Sequence, residues 1–153
     1  VTAMMESFNP DFVVFVRPDN FYHTPLPAYV FKHPDTRRLN TYIPDWQWWG
    51  GLNDRFAICG RDTYRAYGRR IELIFNFCKA TGRKLHSERL LKYALQQAGA
   101  KICTMDTQAS RVRITGVFAD ESFSPKRGMG KRENRYFHMF ARMRTFMDRQ
   151  RSK

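Results

Sequence analysis

The chain carries the sequence WQWWGGLNDRFAICGRD at residues 46–62, and this stretch contains all three tryptophans of the protein. Its glycine pair, Gly50 and Gly51, can adopt backbone conformations that other residues avoid, and the Asn-Asp-Arg triplet that follows can donate and accept several hydrogen bonds. Tryptophan rings stack on sugars, bases and guanidinium groups, so the stretch predicts a ligand-binding wall. The alternative is that the tryptophans are core residues and that the turn only connects two elements.

A short apolar run, Phe12–Val16, lies upstream of this stretch. Its β-branched and aromatic residues predict a strand buried on both faces, as in the parallel core of an α/β sheet. Arg17, Pro18 and Asp19 follow directly, at the edge where ligands bind in such sheets. A turn in which the aspartate caps the next segment is the alternative. Residues 21–45 are rich in proline and predict a mostly irregular connection, of a kind that often carries function.

Downstream of the stretch, Asp62 is positioned to cap a helix from Thr63 to about Ala80, which ends at Gly82. The apolar stripe of this helix consists of Tyr64, Tyr67, Ile71, Ile74, Phe75 and Cys78. Because these residues recur at helical spacing, we expect the stripe to pack on the core.

The next segments predict a second helix from Ser87 to Gly99 and a strand over residues 100–105. The buried face of this helix is expected to consist of Leu90, Leu91, Ala94, Leu95 and Ala98. Residues 111–117 alternate polar and apolar side chains and predict a half-exposed strand, with an edge position as one option. Arg111 and Arg113 share one face of this strand and could contact an anion.

Composition is consistent with one globular domain: 42% of the 153 residues are hydrophobic and 15% are aromatic, enough to bury a core. The elements together predict the α/β class, with a mixed sheet flanked by helices. Cys59, Cys78 and Cys103 are widely spaced and predict reduced thiols in a reducing intracellular compartment, the cytoplasm or an organelle matrix. No apolar run approaches the ~20 residues that span a bilayer, so no transmembrane segment is predicted. The chain begins with Val1 rather than Met, and we expect it to be processed or cut from a longer protein.

The net charge of +13 is concentrated toward the end of the chain, where residues 124–153 contribute +8. The pattern from Lys131 to Gln150 predicts a basic amphipathic helix. Such a tail favours RNA, a phosphate-rich ligand or an anionic membrane as a partner, although basic tails can also be merely solvated. The candidate nucleic-acid or anion contacts are Lys126, Arg127, Lys131, Arg132, Arg135, Arg142 and Arg149.

A resemblance to a known family rests on four segments: residues 11–19, the Gly-Gly-Leu-Asn-Asp-Arg-Phe core at 50–56, His86-Ser87-Glu88, and residues 111–113. Their order resembles the later half of a family of inferred glycosyltransferases from algae, plants and large algal viruses. The resemblance implies a nucleotide-diphospho-sugar transferase (A-type) fold. It makes residues 1–123 a glycosyltransferase-like α/β domain that lacks the N-terminal nucleotide-binding half, and residues 124–153 a basic helical tail.

In such enzymes an acidic motif after a core strand holds a divalent metal against the diphosphate of the donor, and the metal neutralises charge on the leaving group. By this resemblance Asp19 would be the ligand of Mn²⁺ or Mg²⁺. Asp54 or Glu88 would be the general base for the acceptor hydroxyl, although the glutamate could instead stabilise the first turn of its helix. The implied substrate-binding residues are Arg17, Trp48, Trp49, Asn53 and Arg55.

Two functions from different classes follow. The resemblance implies a metal-dependent glycosyltransferase domain that transfers a sugar from a nucleotide sugar to a hydroxyl acceptor. The basic tail and the missing nucleotide-binding half suggest instead a non-catalytic, glycosyltransferase-like structural subunit of a large assembly. Such a subunit could be an RNA-binding protein of a ribosome or another ribonucleoprotein, with protein subunits as further partners. Its binding to RNA phosphates would depend strongly on salt.

Overall fold

The computed structural model describes residues 7–123 and the side chains of residues 7–119. This part of the chain is a mixed α/β structure with two β-sheets and a few helices. The strands are β1 (Phe12–Val16), β2 (Asn20–Tyr22), β3 (Asn40–Pro44), β4 (Phe56–Gly60), β5 (Lys101–Met105), β6 (Ala109–Val112) and β7 (Phe118–Phe123). The α-helices are α1 (Tyr64–Gly68), α2 (Ile74–Thr81) and α3 (Ser87–Gln97), and short 3₁₀ helices cover Ala28–Phe31, Pro34–Arg37 and Arg70–Leu73. The predicted tail helix and its seven basic contact residues lie outside the described residues.

The larger sheet has the strand order β1-β4-β3-β5. Strand β4 is antiparallel to both of its neighbours, whereas β3 and β5 are parallel, with Pro44 opposite Met105 at their carboxyl ends. The smaller sheet has the order β2-β6-β7 and is antiparallel throughout. Consecutive strands β1 and β2 belong to different sheets, so the turn between them, residues 17–19, forms a junction between the two sheets.

The core is organised around β4, which is buried along its whole length. Ala57 and Cys59 face one apolar cluster, which includes Leu91 of α3. Phe56 and Ile58 face a second cluster on the opposite side of the sheet. This alternation follows from the period of two in a strand. Full burial of a side chain such as Leu91 contributes about 1.5–3 kcal/mol, so the strand and α3 together stabilise the larger sheet.

Strand β1 forms over Phe12–Val16 as expected, but the prediction that both of its faces are buried in a parallel core was wrong. It is an antiparallel edge strand, and the side chain of Val16 is 58% exposed. The strands that are buried along their whole length are β3 and β4. Strand β4 lies inside the tryptophan-rich stretch and was not predicted as a strand. A short apolar run signals burial but does not say which strand is central.

The single helix predicted from Thr63 to Ala80 is broken into α1, a 3₁₀ turn and α2. The break follows Gly68, because glycine costs about 1 kcal/mol relative to alanine inside a helix. It also rotates the predicted apolar stripe: Phe75 is 87% exposed, and Phe77 is buried in its place against Tyr93. Ile71 is exposed as well.

The predicted capping of this helix is half correct. Gly82 ends α2 in a left-handed conformation (φ +64°), and its N–H donates to the carbonyl of Cys78 over 2.9 Å. Asp62 does not cap α1, because its carboxylate accepts two hydrogen bonds from the guanidinium of Arg38. The residue at the cap position is Thr63, whose buried hydroxyl is used in the core instead.

Two further segments differ from the prediction. Residues 21–45 are not mainly irregular, since they hold most of β2, the buried strand β3 and two 3₁₀ helices. Residues 111–117 do not form one strand at an edge: β6 ends at Val112 and lies in the middle of the smaller sheet, and a turn follows. The helix from Ser87 and the strand near residues 101–105 are confirmed, although Ala98 lies just past the end of α3. No helix in the described part of the chain has both the length and the hydrophobicity needed to cross a membrane.

Candidate functional site

The turn between β1 and β2 holds the two sheets together through its backbone. The N–H of Arg17 donates to the carbonyl of Arg55 over 3.1 Å, next to the start of β4. The carbonyl of Asp19 accepts from the N–H of Val112 over 2.8 Å, in the smaller sheet. Three arginines from three distant segments therefore meet at this junction. We call Arg17, Arg55 and Arg111 the arginine cluster.

Asp19 lies among these cations. Its carboxylate accepts two hydrogen bonds from Arg17, at 2.8 Å from Nε and 2.6 Å from Nη2. The Nε of Arg111 lies 3.9 Å from the same carboxylate. The hydrogen bond from Arg17 is the main cause that lowers the pKa of Asp19, and it also raises the pKa of Arg17. The carboxylate is therefore held in its charged form and orients the guanidinium of Arg17.

Arg55 is a partly buried member of the arginine cluster. Burial is the main cause that lowers its pKa, and the positive charges of Arg111 and Arg17 lower it further. Asp54 and Glu88 act in the opposite direction, but the net result is a pKa below the usual range. Like charges are therefore brought close to the partly buried guanidinium of Arg55, a group that can donate hydrogen bonds to phosphate oxygens.

The three tryptophans have three different environments. Trp46 is 1% exposed, and its Nε1 donates to the carbonyl of Thr107 over 2.8 Å. Trp48 is half-buried against the core, and its Nε1 donates to the carbonyl of Pro44 over 2.6 Å. Trp49 is 63% exposed. The core interpretation is thus correct for Trp46, and Trp49 presents an indole surface to solvent.

Trp49 lies in the loop between β3 and β4, residues 45–55, which we call the tryptophan loop. This loop has an unusual backbone. Gln47 and Trp49 have positive φ values of 51° and 47°, in addition to 76° at Gly50. A non-glycine residue in this region costs about 1–3 kcal/mol, and such strain concentrates at functional sites. The loop is closed by a 2.7 Å hydrogen bond from the N–H of Gly51 to the carbonyl of Trp48.

The same loop is fixed against the first turn of α3. A Cβ on Gly51 would lie 2.0 Å from the backbone carbon of Glu88, so only glycine fits there. The N–H of Leu52 donates to the carbonyl of Glu88 over 2.9 Å, and the hydroxyl of Ser87 donates to the carboxylate of Asp54. The segment from Trp49 to Arg55 is thereby placed beside residues 86–89.

Asn53 acts within this loop. It is 1% exposed, its Nδ2 donates to the carbonyl of Trp46 over 2.9 Å, and its Oδ1 accepts from the N–H of Arg55 over 2.9 Å. Both ends of the side chain are thus used inside the protein. The structure therefore gives this predicted substrate contact a positioning role for Arg55.

Both candidate bases lie near Arg55, because Asp54 and Glu88 each interact electrostatically with it. The carboxylate of Glu88 is 2.8 Å from Nδ1 of His86 and is mostly buried. Asp54 is bonded to Ser87 and lies directly next to Arg55 in the chain. Either carboxylate could accept a proton from a hydroxyl bound beside the arginine cluster.

The predicted metal site at Asp19 can be compared with its surroundings. Among the described residues, no group of three or more His, Cys, Asp or Glu side chains is placed to hold a metal ion. Asp19 is a single carboxylate whose two oxygens both accept from Arg17, with Arg111 near it. Mg²⁺ is often held by only one or two carboxylates together with substrate phosphates, but both oxygens of Asp19 are engaged by Arg17, so the residues in this arrangement do not fit a divalent cation.

Two relationships in this region were not predicted from the sequence. Arg111 was predicted to lie on a half-exposed strand and to be able to contact an anion, but its place beside Asp19 depends on the pairing of Asn20 with Arg111 in β2 and β6. Asp45 and Asp106 follow the register-paired ends of the parallel strands β3 and β5. Burial, followed by the charge of Asp106, raises the pKa of Asp45. The sequence did contain a signal for this aspartate pair, because an aspartate directly follows each of the two strands.

Comparison with known proteins gives one family. The family described as "Domain of unknown function (DUF7796)" matches residues 2–113, a range that contains the whole arginine cluster and the tryptophan loop. No curated protein and no solved structure matches the chain.

Proposed function

We propose that this chain, which belongs to the family described as "Domain of unknown function (DUF7796)", is a glycosyltransferase-like domain. It would transfer a sugar from a nucleotide-sugar donor to a hydroxyl acceptor. The observation that carries the proposal is the arginine cluster at the junction of the two sheets. Guanidinium groups bind phosphate oxygens in a bidentate manner, and the leaving diphosphate of a nucleotide sugar is the group that gains charge during transfer.

The roles of the surrounding residues follow from their positions. Trp49 offers an exposed indole face on which a sugar ring can stack. Asp54 or Glu88 would accept the proton of the acceptor hydroxyl, because both lie within electrostatic reach of Arg55. Asn53 holds the backbone of Arg55 in place. The A-type nucleotide-diphospho-sugar transferase fold is part of the same proposal, and the mixed sheet with one parallel strand pair is compatible with it.

The second candidate is a structural, RNA-binding subunit of a large assembly. It is supported by the net charge of +13, most of which lies in residues 124–153. Lys and Arg side chains that neutralise RNA phosphates release counterions, so the affinity for RNA would fall steeply with salt. This candidate needs neither Trp49 nor the carboxylates beside Arg55.

Calorimetry with a panel of nucleotide sugars distinguishes the two candidates. We expect the wild-type chain to bind at least one donor, and Arg55→Gln to weaken that binding by about tenfold or more, because a charge-assisted phosphate contact contributes more than 1.4 kcal/mol. The matched control is Arg83→Gln, in the exposed turn after α2, which should bind like the wild type. Absence of donor binding, together with RNA binding that falls steeply with salt, would replace the enzyme proposal with the structural one.

Transfer itself is tested with the donor that binds. Asp54→Asn and Glu88→Gln keep the shape of each side chain and remove its basicity. The variant of the true base should lose about 100-fold to 10,000-fold of the transfer rate while still binding the donor. If both variants transfer sugar at the wild-type rate, neither carboxylate is the base.

A further inference from the structure

We propose that the arginine cluster binds a phosphate-bearing ligand without a divalent metal ion, with guanidinium groups supplying the charge neutralisation that a metal would otherwise give. The assignment of that ligand as the diphosphate of a sugar donor rests on the proposed function. The phosphate-binding site itself is inferred independently of the proposed function. It is defined by Arg17, Arg55 and Arg111 and by the carboxylate of Asp19.

The carboxylate of Asp19 is already engaged by an arginine and is not available as a metal ligand. Both of its oxygens accept hydrogen bonds from Arg17, at 2.8 and 2.6 Å, in a fork that matches the two planar groups. Arg111 approaches the same carboxylate to 3.9 Å. A metal ion that took Asp19 as a ligand would have to displace this pairing. It would then lie beside the guanidinium that it had displaced.

The carboxylates near the site already contact other groups of the protein. Asp19 accepts from Arg17, Asp54 accepts from the hydroxyl of Ser87, and a Glu88 oxygen lies 2.8 Å from Nδ1 of His86. A divalent cation bound to Asp19 would lie close to the guanidinium groups of Arg17 and Arg111, which repel it. A phosphate group could instead accept hydrogen bonds from such guanidinium groups.

The three arginines are held in place by separate parts of the fold. The guanidinium of Arg17 is oriented by Asp19, whereas the backbone of Arg55 is fixed by the hydrogen bond from its N–H to Asn53 and the backbone of Arg111 by the pairing of β6 with β2. Residues that are positioned in advance lose less entropy on binding. Burial, followed by the charges of Arg111 and Arg17, lowers the pKa of Arg55, which agrees with like charges lying close together in a partly buried site.

The test is calorimetric titration of the full chain with inorganic pyrophosphate at constant ionic strength, once in EDTA and once with Mn²⁺. Metal-free binding is expected, with an affinity that changes by less than about threefold between the two conditions, since no ligand contact is routed through the ion. Arg111→Gln should weaken binding in EDTA by about tenfold, and Arg111→Lys by less, because lysine keeps the charge but not the fork. Arg83→Gln is the matched control, and a thermal melt of each variant checks that it is folded.

The outcomes separate this inference from the proposed function. Pyrophosphate that binds in EDTA and depends on Arg111 supports the inference, even if no nucleotide sugar is ever transferred. Binding that requires Mn²⁺, or that is equal in Arg111→Gln and wild type, overturns the inference. A donor that binds only with Mn²⁺ would overturn the inference and leave the glycosyltransferase proposal intact.

Discussion

The backbone of Gly51 lies against the backbone of Glu88, so closely that a Cβ on the glycine would be 2.0 Å from the carbonyl carbon of the glutamate. This contact joins the tryptophan loop to the first turn of α3. It places the loop that carries Trp49 and Asp54 next to Glu88, and both carboxylates interact electrostatically with Arg55. Gly51 is thus required by packing, whereas the requirement at Gly50 comes from its positive φ of 76°.

Gly51→Ala should therefore destabilise the protein by about 3 kcal/mol, because the new methyl group meets backbone that cannot move aside without shifting α3. Gly82→Ala is the comparison: its φ is also positive, but open space surrounds it. That substitution should cost only about 1–2 kcal/mol of left-handed strain. Urea denaturation measures both free energies of unfolding, and equal losses would show that the contact with Glu88 is not tight.

Trp46 and Trp49 should respond in opposite ways to replacement by alanine. Trp46→Ala removes a buried side chain and its hydrogen bond to Thr107, and should lower the free energy of unfolding by about 3–5 kcal/mol. Trp49→Ala changes an exposed residue and should alter that free energy by less than about 0.5 kcal/mol. Only the second variant can be used to measure sugar binding. Unchanged donor affinity in Trp49→Ala would remove the indole from the proposed site.

The pair between Asp19 and Arg17 predicts a loss of stability in acid. The pKa of Asp19 is lowered in the folded protein, so its carboxylate stabilises the fold above the unfolded pKa of about 3.9. This contribution is lost as the pH falls through the lower, folded pKa. Asp19→Asn should thus be less stable than wild type at pH 7, and the difference should shrink in acid. A stability difference that is independent of pH between 2 and 7 would contradict the pairing.

The contribution of Asp45 to stability should depend on pH in the direction opposite to that of Asp19. Burial and the charge of Asp106 raise its pKa, so its ionised form opposes folding, and this cost grows as the pH rises from the unfolded pKa through the folded one. Asp45→Asn should be more stable than wild type at pH 7, with the gain disappearing in acid. Asp106→Asn should lower the pKa of Asp45. Asp35→Asn, at an exposed position, is the control that should show no such gain.

Sequence patterns predicted local structure well where one face of an element is apolar. Helix α3 was predicted because Leu90, Leu91, Ala94 and Leu95 recur at helical spacing, and these residues are buried. The same reasoning failed between Thr63 and Ala80, since the helix breaks after Gly68 and the predicted stripe residues Ile71 and Phe75 are exposed.

The site was predicted only in part, for a related reason. Arg17 and Arg55 could be singled out from their neighbours in the sequence. The position of Arg111 beside Asp19 depends on the register of β6 with β2, which joins residues far apart in the chain. The two sheets share the β1 to β2 turn, and no local pattern in that turn indicates which strand will pair beside it.

A crystal structure of the chain soaked with uridine diphosphate tests the central claim most directly. We expect the diphosphate to lie at the junction of the two sheets. Its oxygens should be within hydrogen-bonding distance of the guanidinium groups of Arg55 and Arg111, and Arg17 should still be paired to Asp19. A diphosphate bound elsewhere on the chain, or one held through a metal ion on Asp19 with Arg17 displaced, would contradict it.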